Sequence, residues 1–502
     1  MNIKQAKEEI QNTLRAYLAK DEWGNYRIPA VRQRPVLLMG PPGIGKTQIM
    51  EQIAGEMNVG LVAYTITHHT RQSAIGLPFI EKRIYGGEER TVTEYTMSEI
   101  LSSVYEKMEK SGIREGILFL DEINCVSETL APMMLQFLQC KTFGNQALPE
   151  GWLIVAAGNP PEYNKSVRDF DVVTLDRVKR MDVKEDFAVW KEYALQRGLH
   201  GAVISYLDIK KDNFYRIETS VDGLQFATAR GWEDLSEIIC TYEELGLQVD
   251  REVIGQYIQL PRIAKDFANY LELYNKYRKT YRVEEILAGR ADKVTELQLR
   301  DAPFDEKLSV MGLLLSRLAE SSRRVRHADT LTAALHGDLL AVKAQAENSG
   351  AAEALASLIG TKQKELLRRR EAGQLNAESR NALQAELARL ESFSALLRDN
   401  SSEDGMELLR GAFSEDIASR RQWGEETARL FDNAFRFLEH SVGESQELVL
   451  FVTEITATPD TSWFVENFGC DAYFRYNKSL LFDDTRRRLE ERILRANEGI
   501  SE

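Results

Sequence analysis

The chain has 502 residues, 43% of them hydrophobic and 28% charged, with a formal net charge of −14. That length points to about three domains rather than one, and the composition excludes a chain disordered throughout. The acidic balance argues against a dedicated nucleic-acid binder, and Cys125, Cys140, Cys240 and Cys470, with no C-x-x-C pair, suggest neither a disulfide framework nor a zinc site.

Residues 1 to about 20 carry Ile3, Ile10, Leu14 and Leu18 at helical spacing and no apolar block of signal-peptide type. The stripe suits packing against a core, with lining of a nucleotide base as the alternative. No run approaches the roughly 18 to 20 apolar residues that span a bilayer, so a soluble, cytoplasmic protein is expected.

The apolar run Pro35-Val36-Leu37-Leu38-Met39 then reads as a strand, and Gln48 to Ala54 as a helix. Between them lies Gly40-Pro41-Pro42-Gly43-Ile44-Gly45-Lys46-Thr47, a complete G-x-x-x-x-G-K-[ST] phosphate loop in the context that motif requires. Glycines let successive backbone N–H groups point at phosphate oxygens, and the following helix aims its positive end at the same anion. Lys46 is expected to reach the terminal phosphates and the Thr47 hydroxyl to ligate magnesium.

A second strand follows at Gly60 to Ile66. Gly86-Gly87, between Leu77–Tyr85 and Glu89–Tyr95, marks a tight hairpin, with a helix from Ser98 to about Lys110 after it. Gly116 to Leu120 is a continuous apolar run of the kind buried in a parallel sheet, ending in Asp121-Glu122. Carboxylates at the end of a buried strand must be paired or hold a cation. A helix from about Glu128 to Cys140 leads to another buried strand, Trp152 to Ala157, ending in Gly158-Asn159-Pro160-Pro161; a last strand is expected near Val183. Strands alternating with helices, with chemistry at strand ends, predict a doubly wound α/β sheet.

Phe187 to about Arg282 reads as helical. Between Pro303 and Pro459 there is no proline, and the Ala, Leu, Glu and Arg content predicts long helices broken at Asn348-Ser349-Gly350, Glu371-Ala372-Gly373 and Asp399-Asn400-Ser401-Ser402. The expected domains are residues 1–185, 186–285 and 286–502, with a projecting helical hairpin at 331–398. Glu447 to Val452 reads as β-like, and Trp463, Phe464, Phe468, Tyr473, Phe474 and Tyr476 as core aromatics.

Nucleotide hydrolysis needs a phosphate cradle, a magnesium ligand, a group that polarises water and positive charge at the γ-phosphate. Asp121 suits the magnesium shell with Thr47, Glu122 the polariser, and Asn159 a holder of water or γ-phosphate. Arg177, Arg180 and Arg230 are the candidates for the charge. Taken singly, each is more often a surface ion pair, because arginine is common there; in this order and spacing with the loop, the acidic pair and the asparagine, they point to the site.

In order and spacing these pieces resemble the AAA+ ATPases, and more narrowly the MoxR-like group of the dynein-related branch with its helix-2 insert. Gly40 to Thr47 corresponds to Walker A, Ile117 to Asn124 to Walker B, Asn159 to sensor 1, Leu175-Asp176-Arg177 to the arginine-finger region and Arg230 to sensor 2. The resemblance spans about residues 25–285 and departs from the family pattern at Cys125 and Val178. It implies a parallel P-loop sheet between helices followed by a helical lid; the mainly helical C-terminal region is the compositional reading above.

The same resemblance implies Mg-dependent ATP hydrolysis, with ATP bound by residues 40–48, from Gly40 through Gln48, and by Asp121. It implies a homo-oligomeric ring, usually a hexamer, in which Arg177 reaches the neighbour's ATP. Arg180 would be a second interface arginine, and Arg230 would act from the same subunit's lid. The hairpin around Gly86-Gly87 corresponds to the nucleotide-responsive insert. The implied work is chaperone-like remodelling or maturation of a protein complex, often with a von Willebrand factor A domain partner. Two alternatives stay open: a ring ATPase acting on nucleic acid, kept alive by Lys82, Arg83 and Arg90, and a slowly hydrolysing nucleotide-gated scaffold.

Overall fold

The computed structural model describes residues 1–478 apart from 69–71, 73–75, 145, 164–169, 221–222, 376 and 400–403. The chain divides into two compact units, Met1–Val189 with Leu355–Glu391, and Trp190–Ala354 with Ser392–Glu502.

In the first unit, helix α1 (Ile3–Leu18) precedes β1 (Val36–Met39), α2 (Lys46–Met57) and β2 (Gly60–Thr65). A ribbon of β3 (Pro78–Tyr85) and β4 (Glu88–Tyr95) comes next, then α3 (Glu99–Ser111), β5 (Gly116–Asp121) and α4 (Ala131–Cys140). The short ribbon β6 (Thr142–Phe143) and β7 (Gln146–Ala147) leads to β8 (Trp152–Gly158), α5 (Val172–Arg177) and β9 (Lys179–Asp182). Five strands form one parallel sheet in the order β2-β5-β8-β1-β9. β8 is thus inserted between β5 and β1, which separates the acidic pair from the phosphate loop by one strand.

Period-2 alternation explains why the strands read as unbroken apolar runs: each serves two cores. Leu118, Leu120, Ile154, Ala156 and Leu37 face α3 and α4, against Leu101, Val104, Met134 and Phe137. Ile117, Phe119, Leu153, Val155, Val36 and Leu38 face α1 and α2, against Ile10, Leu14, Ile49 and Ile53. The α1 stripe therefore packs, with Ile10 and Leu14 fully buried and Ile3 and Leu18 at its margin. The β3–β4 turn holds Gly86 and Gly87 at φ 61° and 89°, the left-handed pair a two-residue hairpin turn demands.

The open edge of β2 is closed from far along the chain. Between helices Ala351–Glu371 and Ala377–Asp399 the described residues are 372–375, and inside this unit Gln363 Nε2 donates to Glu391 Oε1 at 3.1 Å. The Ala372 carbonyl accepts from Leu61 N–H at 3.2 Å and the Glu371 carbonyl from Lys107 Nζ at 2.5 Å, while Gln374 Nε2 donates to the Val59 carbonyl at 3.4 Å. This turn satisfies backbone groups that an edge strand otherwise leaves open.

The second unit is helical apart from a ribbon of β10 (Arg216–Ser220) and β11 (Gly223–Ala227), a correction to the all-helical reading of residues 187–282. Ile217 lies opposite Phe226 and Thr219 opposite Leu224, a cross-strand pairing that local composition did not announce. At its core Phe267 meets Tyr206 and Trp232 edge to face, and Tyr206 and Trp232 are tilted at 44° to each other. A single helix, Phe304–Ser349, packs on Gly405–Ser441 and Pro459–Phe468; Ser321 and Thr427 share a hydrogen bond at 2.7 Å, and Phe431 stacks on Phe464.

The breaks read at 348–350 and 371–373 are helix ends, with Gly350 and Gly373 at φ 81° and 70°. The one at 399–402 lies outside the described residues beyond Asp399. Glu447 to Val452 is no strand but part of helix Gln446–Ala457, a second correction. Leu448, Phe451, Val452 and Ile455 are its buried residues, an i, i+3, i+4, i+7 stripe that a six-residue window is too short to distinguish from a buried strand. Among the described residues no helix is long and apolar enough to cross a membrane.

Candidate functional site

β1 is buried along its whole length and delivers the chain at Gly40, whose N–H donates to the Gly158 carbonyl at 3.3 Å. A Cβ on Gly40 would lie 2.7 Å from the Val183 carbonyl, so only glycine fits there. Gly43 and Gly45 sit at φ 75° and 91°, the left-handed conformation that curls the loop, and α2 begins at Lys46 with its free amides at the loop. Pro41, Pro42 and Ile44 complete the loop, and Gln48 is exposed on the first turn of α2.

Lys46 is 8% exposed, and its Nζ donates to the Gly40 carbonyl at 2.7 Å, the Pro41 carbonyl at 2.8 Å and Asn159 Oδ1 at 2.8 Å. Three oxygens around one ammonium offset the desolvation of a buried cation. Thr47 Oγ1 donates to Asp121 Oδ2 at 3.2 Å, and Asp121 Oδ1 accepts from Glu122 N–H at 2.9 Å. The structure thus brings together Lys46, Thr47, Asp121, Glu122 and Asn159, from three strand ends of the sheet.

Glu122 has φ 57°, a conformation that costs a side-chain-bearing residue about 1 kcal/mol or more. Its Oε2 accepts from Thr67 Oγ1 at 2.7 Å. Thr67, which no sequence motif marks, lies in the short 3₁₀ segment after β2. The signal for it is the register: Thr65 pairs with Asp121, so a hydroxyl two residues on falls beside Glu122. Asn124, a member of the acidic-pair motif, is 2% exposed and its Nδ2 donates to the Asn159 carbonyl at 2.7 Å.

The three arginines are elsewhere. Arg177, exposed at the end of α5, donates to Gln139 Oε1 of α4. Arg180 is exposed on the edge strand β9 and pairs with Asp182 at 2.8 Å. Arg230 is the exposed second residue of helix Ala229–Leu245, in the other unit.

Residues 35–178 match the family model of the AAA domain, dynein-related subfamily. This stretch carries an AAA domain. Among solved structures the chain is similar to a protein from Cytophaga hutchinsonii ATCC 33406 assigned as an ATPase, at 18% identity and TM-score 0.22 over 36% of this chain and 51% of that one. It is also similar to the FIGL-1 AAA domain solved with ADP, at 16% identity and TM-score 0.29 over 55% of this chain and 86% of that one. The chain spans about half the length of the first of these, and at such values neither likeness carries an argument. No curated protein matches the chain.

The residues present fit ATP with Mg²⁺. The left-handed glycines and the N-terminus of α2 form an anion cradle, and a hydroxyl and a carboxylate oxygen that meet at 3.2 Å are hard oxygen donors of the kind magnesium takes.

Proposed function

We propose that the chain is a MoxR-like AAA+ ATPase that couples ATP hydrolysis to chaperone-like remodelling or maturation of a protein complex. The observation that carries the hydrolytic part is Lys46, held by Asn159 and the loop carbonyls, beside Thr47 and Asp121 with Glu122 next in line. Mg²⁺ on Thr47 and Asp121 would neutralise phosphate charge when bound. Residues 40–48 bind the phosphates, Lys46 places positive charge at the terminal ones, and Asn159 orients the γ-phosphate or the attacking water. Glu122 polarises that water once its carboxylate leaves Thr67.

Two exposed arginines support a ring. Arg177 and Arg180 are exposed and engage Gln139 and Asp182 rather than the phosphate loop of their own chain. Arginines placed so are suited to a neighbour's γ-phosphate in the homo-oligomeric ring, a hexamer, that this reading implies, and Arg230 is assigned to the lid of the same subunit. The β3–β4 ribbon favours a protein substrate over nucleic acid. Lys82 pairs with Glu89, Arg83 with Glu81 and Glu94, and Arg90 with Glu88, so its cations are neutralised, while Ile80 and Ile84 are 76% and 75% exposed. A von Willebrand factor A domain protein is the partner class this reading calls for.

Glu122→Gln is expected to lower ATP turnover by about 100-fold while nucleotide binding stays. Hydrolysis unchanged by it sinks the assignment. Mixing Arg177→Ala with Lys46→Ala subunits should restore part of the activity if Arg177 acts across a subunit boundary; no recovery rules that out. Strong stimulation of ATP turnover by DNA would replace the protein-remodelling reading.

A further inference from the structure

The chain leaves β5 in a four-residue turn, Glu122 to Cys125, closed by the Cys125 N–H on the Glu122 carbonyl at 2.9 Å. Its first residue is held at φ 57°, so the turn needs anchoring from outside. Two hydrogen bonds to the end of β8 supply it. Ile123 N–H donates to the Ala157 carbonyl at 2.9 Å, and Asn124 Nδ2 to the Asn159 carbonyl at 2.7 Å.

The second bond differs in kind, because it comes from a side chain and ends on the residue that holds Lys46. Asn124 is 2% exposed, and its amide lies flat against Gly158: a Cβ there would come 2.6 Å from Asn124 Oδ1 and 2.9 Å from its Cγ. Gly158 has no left-handed φ to explain it, so its role is to leave room for that amide. The fit is reciprocal.

We infer that Asn124 is a positioning residue that couples the Glu122 turn to Asn159, so that the water-polarising carboxylate and the side chain on Lys46 are set in one register by a single buried amide seated on Gly158. Asn124 does not itself bond the phosphate loop; it acts through its neighbours. Aspartate at 124 would remove the donor and set oxygen against the Asn159 carbonyl, and alanine at 158 would push the amide out of its seat. This rests on the ATPase reading for its kinetic consequence and on geometry alone for its structural one.

The test uses the full chain, with kcat and KM for MgATP, the dissociation constant for a fluorescent ADP, and amide hydrogen exchange over residues 120–126 and 156–160 without nucleotide. Asn124→Asp and Gly158→Ala should each lower kcat by about tenfold with ADP affinity changed by less than about threefold, and both should speed exchange in the two segments together. Asn124→Ala with Gly158→Ala, where the smaller side chain makes room for the added methyl, should be no worse than Asn124→Ala alone.

Three results overturn the inference: kcat within about twofold of wild type in Asn124→Asp, losses that multiply in the double variant, or faster exchange in one segment only. If the wild-type chain hydrolyses no ATP, the ATPase reading fails, and exchange still decides whether Asn124 couples the two segments.

Discussion

Two lysines in the first unit are buried to the same degree and meet opposite fates. Lys46 is 8% exposed and Lys141 is 9% exposed. Lys46 opens α2 with three oxygen acceptors within 2.8 Å. Lys141 closes α4 at φ 56°, and its one side-chain hydrogen bond among the described residues is to Gln33 Oε1 at 3.5 Å. Burial without compensating oxygens pushes the Lys141 ammonium down to about 8. Burial therefore does not mark a functional cation; the acceptors arranged around it do.

The sharpest way to break the comparison is Lys46→Ala, which should weaken nucleotide binding by about 100-fold or more, read by titration with a fluorescent nucleotide. Binding that survives intact removes Lys46 from the site.

Lys141→Met should act on stability instead. The unfolded chain holds this proton up to the ordinary lysine value of 10.5 while the folded chain releases it near 8. Between those values wild type gains stability as pH rises, and below 8 the full cost of a buried charge is present. Thermal or urea unfolding at pH 7 should find the variant more stable by about 2 kcal/mol, with the advantage gone above about pH 10.5. An advantage that grows with pH contradicts the sign.

The smallest effect is expected from Asn159→Ala, which removes one acceptor from Lys46. ATP turnover should fall by about tenfold with ADP affinity nearly unchanged, because the two loop carbonyls still hold the ammonium. A loss of affinity equal to that of Lys46→Ala would mean that Asn159 holds the lysine by itself.

The parts of the site legible in sequence are those whose physics is local. Left-handed glycines, a helix N-terminus and the lysine that follows fall within the eight residues Gly40 to Thr47, and an acidic pair at the end of an apolar run declares itself wherever the strand lies. Thr67 was not legible, because its meaning comes from lying alongside Glu122 once β2 and β5 pair. Helix Gln446–Ala457 resembles a strand in sequence for a related reason: its buried stripe is set by what covers it, and the six residues Glu447 to Val452 span less than two turns. The β10–β11 ribbon depends on cross-strand partners in the same way.

The sequence by itself determined that this chain has a phosphate loop followed by an acidic pair, because backbone conformation and charge placement there depend on residues within a few positions of one another. Tertiary structure decided which of two equally buried lysines is compensated, which amide sits on Gly158, and that residues 371–374 close the β2 edge some three hundred positions from it. Those are outcomes of packing and hydrogen-bond satisfaction between segments remote in the chain, and no local pattern encodes them.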